Sequence, residues 1–165
     1  MPEISAVIIT FNEERNIKRC IESVVGVADE IIVVDSFSTD KTAGICAKFD
    51  VRFIQTNFRG YVEQKNHALS LASCPVVLSP GADEALSPEL ERSIHGVKEN
   101  WKYDGYYFNR RNNYCGKWLR YTSRHPDRKL RLWDKTKGRW GGLNPHDKVI
   151  IRVRLSFQAG PGRVS

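Results

Sequence analysis

Four cysteines in 165 residues, none of them in a C-x-x-C pair, leave little to brace this chain covalently. Cys20, Cys46, Cys74 and Cys115 are too widely spaced for a zinc-ligand pattern, and no disulfide framework is expected. Reduced, buried thiols in a cytoplasmic protein are the plain expectation. No apolar run approaches the roughly 20 residues that a membrane-spanning helix needs. Met1-Pro2-Glu3-Ile4 lacks the basic stretch and long apolar segment of a secretory signal. No internal repeat is present. Acidic residues are scarce in one region only. Residues 101–165 hold four Asp+Glu against sixteen Lys+Arg, a net of +12, whereas residues 1–100 hold fifteen against ten, a net of −5. That asymmetry suggests an anionic partner for the C-terminal part: nucleic acid, lipid headgroups or a phosphorylated substrate. The plainer alternative is a solvated basic face.

What the chain does have is a run of short apolar segments alternating with amphipathic ones. With 41% hydrophobic and 27% charged residues, it reads as one soluble globular domain over residues 1–155. Ile4 to Thr10 predicts a buried strand. Over 14–26, Ile17, Cys20, Ile21, Val24 and Val25 recur at helical spacing. Residues 30–35 predict a second strand, 40–48 a helix with Asp40 as a possible cap, and Val51 to Gln55 a short strand. Residues 61–73 predict a helix with Val62, Ala68, Leu69 and Ala72 on its apolar side. Pro75 to Ser79 predicts a fourth strand. Ser87-Pro88-Glu89 opens another helix to about Val97, with serine at the cap and proline in the first turn. Such β-α-β-α-β-α-β alternation predicts an α/β fold with a mostly parallel sheet.

From Trp101 onward, aromatic residues interleave with Arg and Lys. Strands are expected around Tyr106–Arg110, Lys129–Trp133 and Val149–Leu155, with Gly141 to Pro145 as a loop and 156–165 as a disordered tail.

The segment Ile31-Ile32-Val33-Val34-Asp35-Ser36-Phe37-Ser38 carries the clearest functional signal. Four β-branched residues running into a carboxylate suit a strand buried on both faces. Ligands bind beyond the carboxyl ends of such strands, so Asp35 is expected to face a cleft. Its alternative role is a helix cap, for which Ser38 and Asp40 are better placed.

Several motifs occur in order: Ile8-Ile9-Thr10-Phe11-Asn12-Glu13-Glu14, the strand ending at Asp35, Glu63-Gln64-Lys65-Asn66-x-Ala68-Leu69, and Ala82-Asp83-Glu84. Arg128-Lys129-Leu130-Arg131-Leu132-Trp133 and Asn144-Pro145-His146-Asp147-Lys148-Val149 follow. Together they resemble glycosyltransferase family 2, inverting nucleotide-sugar transferases of GT-A fold, and within it the bacterial lipopolysaccharide-core glucosyltransferase type.

The resemblance implies a GT-A-like, mostly parallel twisted sheet flanked by helices, with 1–100 as the nucleotide-binding half and 101–155 as a basic acceptor-side half. It implies that Thr10 and Phe11 meet the base and ribose, that Asp35 recognises the base, and that Lys65 lies near the diphosphate. Asn12 and Glu13 match the same donor-binding turn, or simply cap the first helix. Asp83 matches the last carboxylate of a D-x-D-type motif holding a divalent cation, Mg²⁺ or Mn²⁺. Asp147 matches the catalytic base, with His146 as the other candidate, either as base or as an extra metal contact. Arg128 and Arg131 are expected to meet phosphates of donor or acceptor. The implied reaction moves a hexose, glucose by resemblance, from a nucleotide-diphosphate sugar to a lipopolysaccharide inner-core acceptor. The implied setting is cytoplasmic and peripheral to the inner face of the cytoplasmic membrane. Two departures stand out. Gly81 occupies the position of the motif's first carboxylate, and the chain ends soon after His146-Asp147, so it reads as a truncated member. The alternatives are a catalytically impaired nucleotide-sugar-binding domain and, less favoured, a basic nucleic-acid-binding protein.

Overall fold

The computed structural model describes residues 1–110, 113–114, 117–118, 127–144, 146–151 and 163–164. Its first half follows the predicted alternation: β1 (Ile4–Thr10), α1 (Ile17–Val24), β2 (Glu30–Asp35), α2 (Thr42–Cys46), β3 (Arg52–Gln55), α3 (Tyr61–Leu71), β4 (Val76–Leu78) and α4 (Pro88–Glu99). The second half is strands: β5 (Gly105–Arg110), β6 (Asn113–Tyr114), β7 (Lys117–Trp118), β8 (Asp127–Asp134), β9 (Gly138–Leu143), β10 (His146–Ile151) and β11 (Arg163–Val164).

Seven strands form one sheet in the order β11-β5-β8-β4-β1-β2-β3. β1, β2, β3 and β4 run parallel, and β8 enters antiparallel between β4 and β5. Alternation of side chains across the sheet divides the core in two. On one face Ile4, Ala6, Ile8, Ile31, Val33 and Leu78 pack with Ile17, Cys20, Ile21 and Val24 of α1 and with Leu90 and Ile94 of α4. On the other, Val7, Ile32, Val34 and Val77 pack with Ala68 and Leu69 of α3 and with Trp133 and Trp140. Each fully buried aliphatic side chain contributes ~1.5–3 kcal/mol, so the unbroken apolar run of β2 anchors both layers at once. Ser87 caps α4 as expected, its hydroxyl accepting from the Leu90 amide at 3.1 Å.

Three boundaries differ from the sequence reading for identifiable reasons. α1 begins at Ile17, because Glu13 and Glu14 are drawn into a loop facing the β2–α2 connection. Lys41 takes the cap position of α2, while Asp40 Oδ1 still accepts from the Thr42 amide (2.9 Å) and hydroxyl (2.6 Å). Gly141 and Gly142 are not a loop: they lie in β9, which pairs antiparallel with β10 and brings Gly142 opposite Asp147. Gly142 has φ +93°, and a Cβ there would come within 2.8 Å of the His146 carbonyl oxygen. At Gly141 a Cβ would meet Ile150 at 2.2 Å. These glycines permit close strand approach rather than ending the strand. Arg163–Val164, inside the segment read as a disordered tail, pair parallel with β5. Of the strand expected over Val149–Leu155, residues 149–151 belong to β10, whereas 152–155, Cys115 and the rest of the tail lie outside the described residues.

Candidate functional site

The carboxyl ends of the parallel strands form one rim of the sheet. Thr10 ends β1 and sits in register beside Asp35, which ends β2. A cavity of about 420 Å³ opens there, lined by Ile9, Thr10, Phe11, Ser36, Phe58 and Tyr61 among others. A second cavity, about 160 Å³, shares Ile9, Tyr61 and Ala82 with it and extends to Lys65, Gly81 and Arg131. Phe11, Phe58 and Tyr61 are 57%, 50% and 45% exposed, and the rings of Phe58 and Tyr61 meet edge to face at 5.1 Å. Exposed aromatic walls on a concave site suit a planar ring.

Asp35 stands at this rim but does not open onto the cleft as expected. It is fully buried. Its Oδ1 accepts from the hydroxyls of Thr10 (2.9 Å) and Ser38 (2.5 Å), and its Oδ2 from the Ser38 amide (2.8 Å) and Gln55 Nε2 (3.2 Å). The turn after β2 folds Ser38 back over the carboxylate, which could not be read from the strand itself. Four donors thus satisfy the buried carboxyl group.

Asn12 and Glu13 join this turn to the one after β1. The Asn12 amide donates to Ser38 Oγ (2.8 Å), and Asn12 Oδ1 accepts from the Thr39 amide (2.8 Å). The Glu13 amide donates to Thr42 Oγ1 (2.9 Å), while the Glu13 carbonyl accepts from Asn16 and Ile17 at the start of α1. Asn12 has φ 49° and Phe37 has φ 58°, so two non-glycine residues hold left-handed backbone in the turns that follow β1 and β2.

α3 brings four consecutive polar residues to four different partners. Glu63 accepts from Asn144 Nδ2 (3.2 Å). Gln64 Nε2 donates to Ser36 Oγ (3.1 Å). Lys65 Nζ pairs with Asp147 Oδ2. Asn66 Nδ2 donates to the Trp140 carbonyl and Asn66 Oδ1 accepts from the Trp140 amide, both at 2.9 Å. The hairpin β9–β10 is thereby bolted against the rim. Lys65 Nζ lies 4.1 Å from the centre of a Trp140 ring. Burial, and to a smaller degree Arg131, push the Lys65 ammonium below the usual lysine range, while Asp147 works the other way.

His146 and Asp147 separate. Strand alternation turns Asp147 toward α3 and leaves His146 exposed on the outer face of the hairpin, so only Asp147 meets the site. Arg131 lies at the inner cavity and pairs with Glu84 at 3.3 Å. The side chain of Arg128 lies outside the described residues.

The turn after β4 carries Asp83 and Glu84. Glu84 is buried, and its Oε1 accepts from the Gly81 amide at 2.6 Å. Asp83 is exposed beside the cavity-lining Ala82, its backbone carbonyl held by Arg19 at 2.8 Å. Beneath, the buried Cys20 thiol is pushed up to about 12 by burial and by Glu84 and Asp83. Among the described residues no group of three or more His, Cys, Asp or Glu is placed to hold a metal. One outward carboxylate fits a hard cation that takes its remaining ligands from phosphate oxygens and water, rather than a preformed cage.

The match to known proteins follows this geometry. A family model described as glycosyl transferase family 2 matches residues 5–152. The chain belongs to glycosyl transferase family 2. Over 106 residues it is 43% identical to an uncharacterized glycosyltransferase of Rickettsia felis, covering 64% of this chain and 38% of that protein. Over 96 residues it is 41% identical to the lipopolysaccharide core biosynthesis glycosyltransferase LpsC of Rhizobium meliloti, covering 55% and 35%. The chain thus spans little more than a third of the length of these two curated relatives. S. aureus TarS 1–349, solved with UDP-GlcNAc, superposes with a TM-score of 0.60 at 21% identity, covering 81% of this chain and 46% of that one. Glucosyl-3-phosphoglycerate synthase from Mycobacterium tuberculosis, solved with Mn²⁺, UDP and phosphoglyceric acid, gives 0.54 at 24% identity, covering 66% and 43%. The sheet is that of the GT-A glycosyltransferases, as the family resemblance implied.

Lys65 and Asp147, named from the sequence, are brought together at this rim. Sequence reasoning missed Phe58 and Tyr61, whose only signal is their position either side of Arg59-Gly60, and it did not foresee that Asn66 fixes the hairpin.

Proposed function

We propose that this family 2 chain transfers a hexose, glucose by its resemblance, from a nucleotide-diphosphate sugar to a lipopolysaccharide inner-core acceptor with inversion. The observation that carries the reading is the meeting, at one rim, of an aromatic cavity and two cations, with Asp147 paired to one of them and the exposed Asp83 on the neighbouring turn. Phe11, Phe58 and Tyr61 receive the base. Asp35 holds Thr10 and Ser38 in place beneath it. Lys65 and Arg131 meet the diphosphate. Asp83 would hold the divalent cation, Mg²⁺ or Mn²⁺, which when bound offsets negative charge on the departing nucleoside diphosphate.

Asp147 takes the proton of the acceptor hydroxyl as that oxygen bonds to the anomeric carbon. The bond from that carbon to the phosphate oxygen breaks on the opposite side, and the electron pair leaves with the diphosphate. A single base on one face yields inversion. Relatives' names support the reading: LpsC is a lipopolysaccharide core glycosyltransferase, and the two solved proteins hold UDP-GlcNAc or UDP with Mn²⁺.

The outer face of β9–β10 presents Arg139, Leu143, His146, Lys148 and Ile150, all exposed. Cationic and apolar groups together suit an anionic acceptor at the inner face of the cytoplasmic membrane. Binding to anionic vesicles that falls as salt rises supports this placement, and binding indifferent to salt opposes it.

Gly81 favours one competing reading, a domain that binds donor without turning it over. Incubation with a panel of nucleotide sugars, Mn²⁺ and deacylated core oligosaccharide tests both. Release of nucleoside diphosphate with a new glycosidic linkage supports the transferase. Donor binding without release supports the silent domain.

A further inference from the structure

Lys65 stands between two demands. Its Nζ is paired with Asp147 of β10, 82 residues away in sequence, with side-chain exposures of 21% and 10%. It also lines the inner cavity with Gly81, Ala82 and Arg131, where the donor's diphosphate is placed above. The charges around it come from three elements: Asp147 on β10, Arg131 on β8 and Glu84 after β4. Arg131 already has its own carboxylate in Glu84. Both cations lie over Trp140, at 4.1 and 6.0 Å from a ring centre. The Trp140 backbone is fixed to α3 by Asn66, so this floor does not move independently of Lys65.

We infer that Lys65 is a positioning residue that alternates between two anions: Asp147 when the cleft is empty and the donor's diphosphate when it is filled. While the ammonium occupies Asp147 Oδ2, that oxygen is closed to the proton of an acceptor hydroxyl. Diphosphate entry draws the ammonium away and exposes the carboxylate. Donor binding thereby frees Asp147 Oδ2 of its resident cation. The inference rests on the reading of the cleft as a nucleotide-diphosphate site and adds the competition to it.

Competition for one cation has a signature in binding that needs no turnover. Asp147→Asn removes Lys65's resident partner, so UDP binds tighter by about fivefold or more, within the usual range of coupling between sites. Uridine, which lacks the diphosphate, binds the variant and the parent chain alike. Lys65→Met weakens UDP about tenfold, the scale of one charged contact. Adding Asp147→Asn to Lys65→Met then gives no further gain. Simple relief of repulsion by Asp147 would instead persist in the Lys65→Met background, and that result overturns the inference. So does UDP affinity left unchanged by Asp147→Asn alone. Failure of the parent chain to bind UDP at all is a different outcome, which removes the nucleotide reading itself. If Lys65→Met does not fold, Lys65→Gln serves. The lysine ε-CH₂ resonances of the parent chain report independently: one set must shift with UDP and stay still with uridine.

Discussion

Asn66 of α3 and Trp140 of β9 exchange two hydrogen bonds of 2.9 Å, the amide side chain of one matching the backbone of the other. A helix thus joins to a strand edge as another strand would. Asn144, at the hairpin turn, reaches the same helix by accepting from the Val62 amide at 2.9 Å and donating to Glu63. The hairpin carrying Asp147 is therefore tied by side chains of α3 as well as by the main sheet, where Trp133 Nε1 donates to the Gly138 carbonyl at 3.2 Å. Asn66→Ala loses both bonds and is expected to cost about 1–3 kcal/mol, since the Trp140 backbone groups lose their partners. Denaturant unfolding measures the cost. Hydrogen exchange should quicken first in 138–151, and protection there equal to the parent chain contradicts the bolting role.

Asp35 serves the cleft from below. Asp35→Ala leaves Thr10, Ser38 and Gln55 donors without their acceptor, at about 1–3 kcal/mol for each one left buried and unmet. It should lower the melting temperature and abolish the rise that UDP produces by mass action. An undiminished UDP-induced rise would separate Asp35 from nucleotide binding.

Gly81 is close to both carboxylates of its turn: a Cβ there would lie 2.7 Å from Glu84 Oε1 and 2.9 Å from Asp83 Oδ1. Gly81→Asp should therefore displace Glu84 from the Gly81 amide, costing roughly 0.5–3 kcal/mol. It should also supply a second outward carboxylate and strengthen Mn²⁺ binding in the presence of UDP. Calorimetry with Mn²⁺, with and without UDP, reads this. The parent chain should bind Mn²⁺ measurably only with UDP present.

At the opposite end of β2, Glu30 accepts from Ser5 Oγ (2.5 Å) and from the Ser73 amide (3.0 Å) and hydroxyl (2.8 Å). Partial burial raises its affinity for a proton, but these bonds and Arg52 outweigh it and hold the carboxyl below its ordinary value of 4.5. A depressed folded value means stability that is present above 4.5 and lost as pH falls through the folded value. Glu30→Gln should be less stable than the parent at pH 7, and the gap should narrow on acidification below about 4.5. A gap independent of pH would contradict this.

The parallel half of the fold was legible because β1, β2 and β4 are short apolar runs buried on both faces, and because Ser87-Pro88 marks the start of α4 plainly. The hairpin was not, because Gly141, Gly142 and Asn144-Pro145 carry the composition of a loop while two of them serve close strand approach. Of the site, Lys65, Asp83 and Asp147 fall at the expected rim. The enclosure of Asp35 escaped prediction because Ser38 and Gln55 reach it from separate connections. The division of His146 from Asp147 follows only once the strand is known to start at His146.

On the proposed function, the ends of β1 and β2, helix α3 and the turn after β4 build one nucleotide-diphosphate cleft. A structure determined with UDP and Mn²⁺ tests it most directly. In it the base should lie against Phe11, Phe58 and Tyr61, the diphosphate between Lys65 and Asp83, and Lys65 should have withdrawn from Asp147. Nucleotide bound at any other face, or none bound at saturating UDP and Mn²⁺, would contradict it.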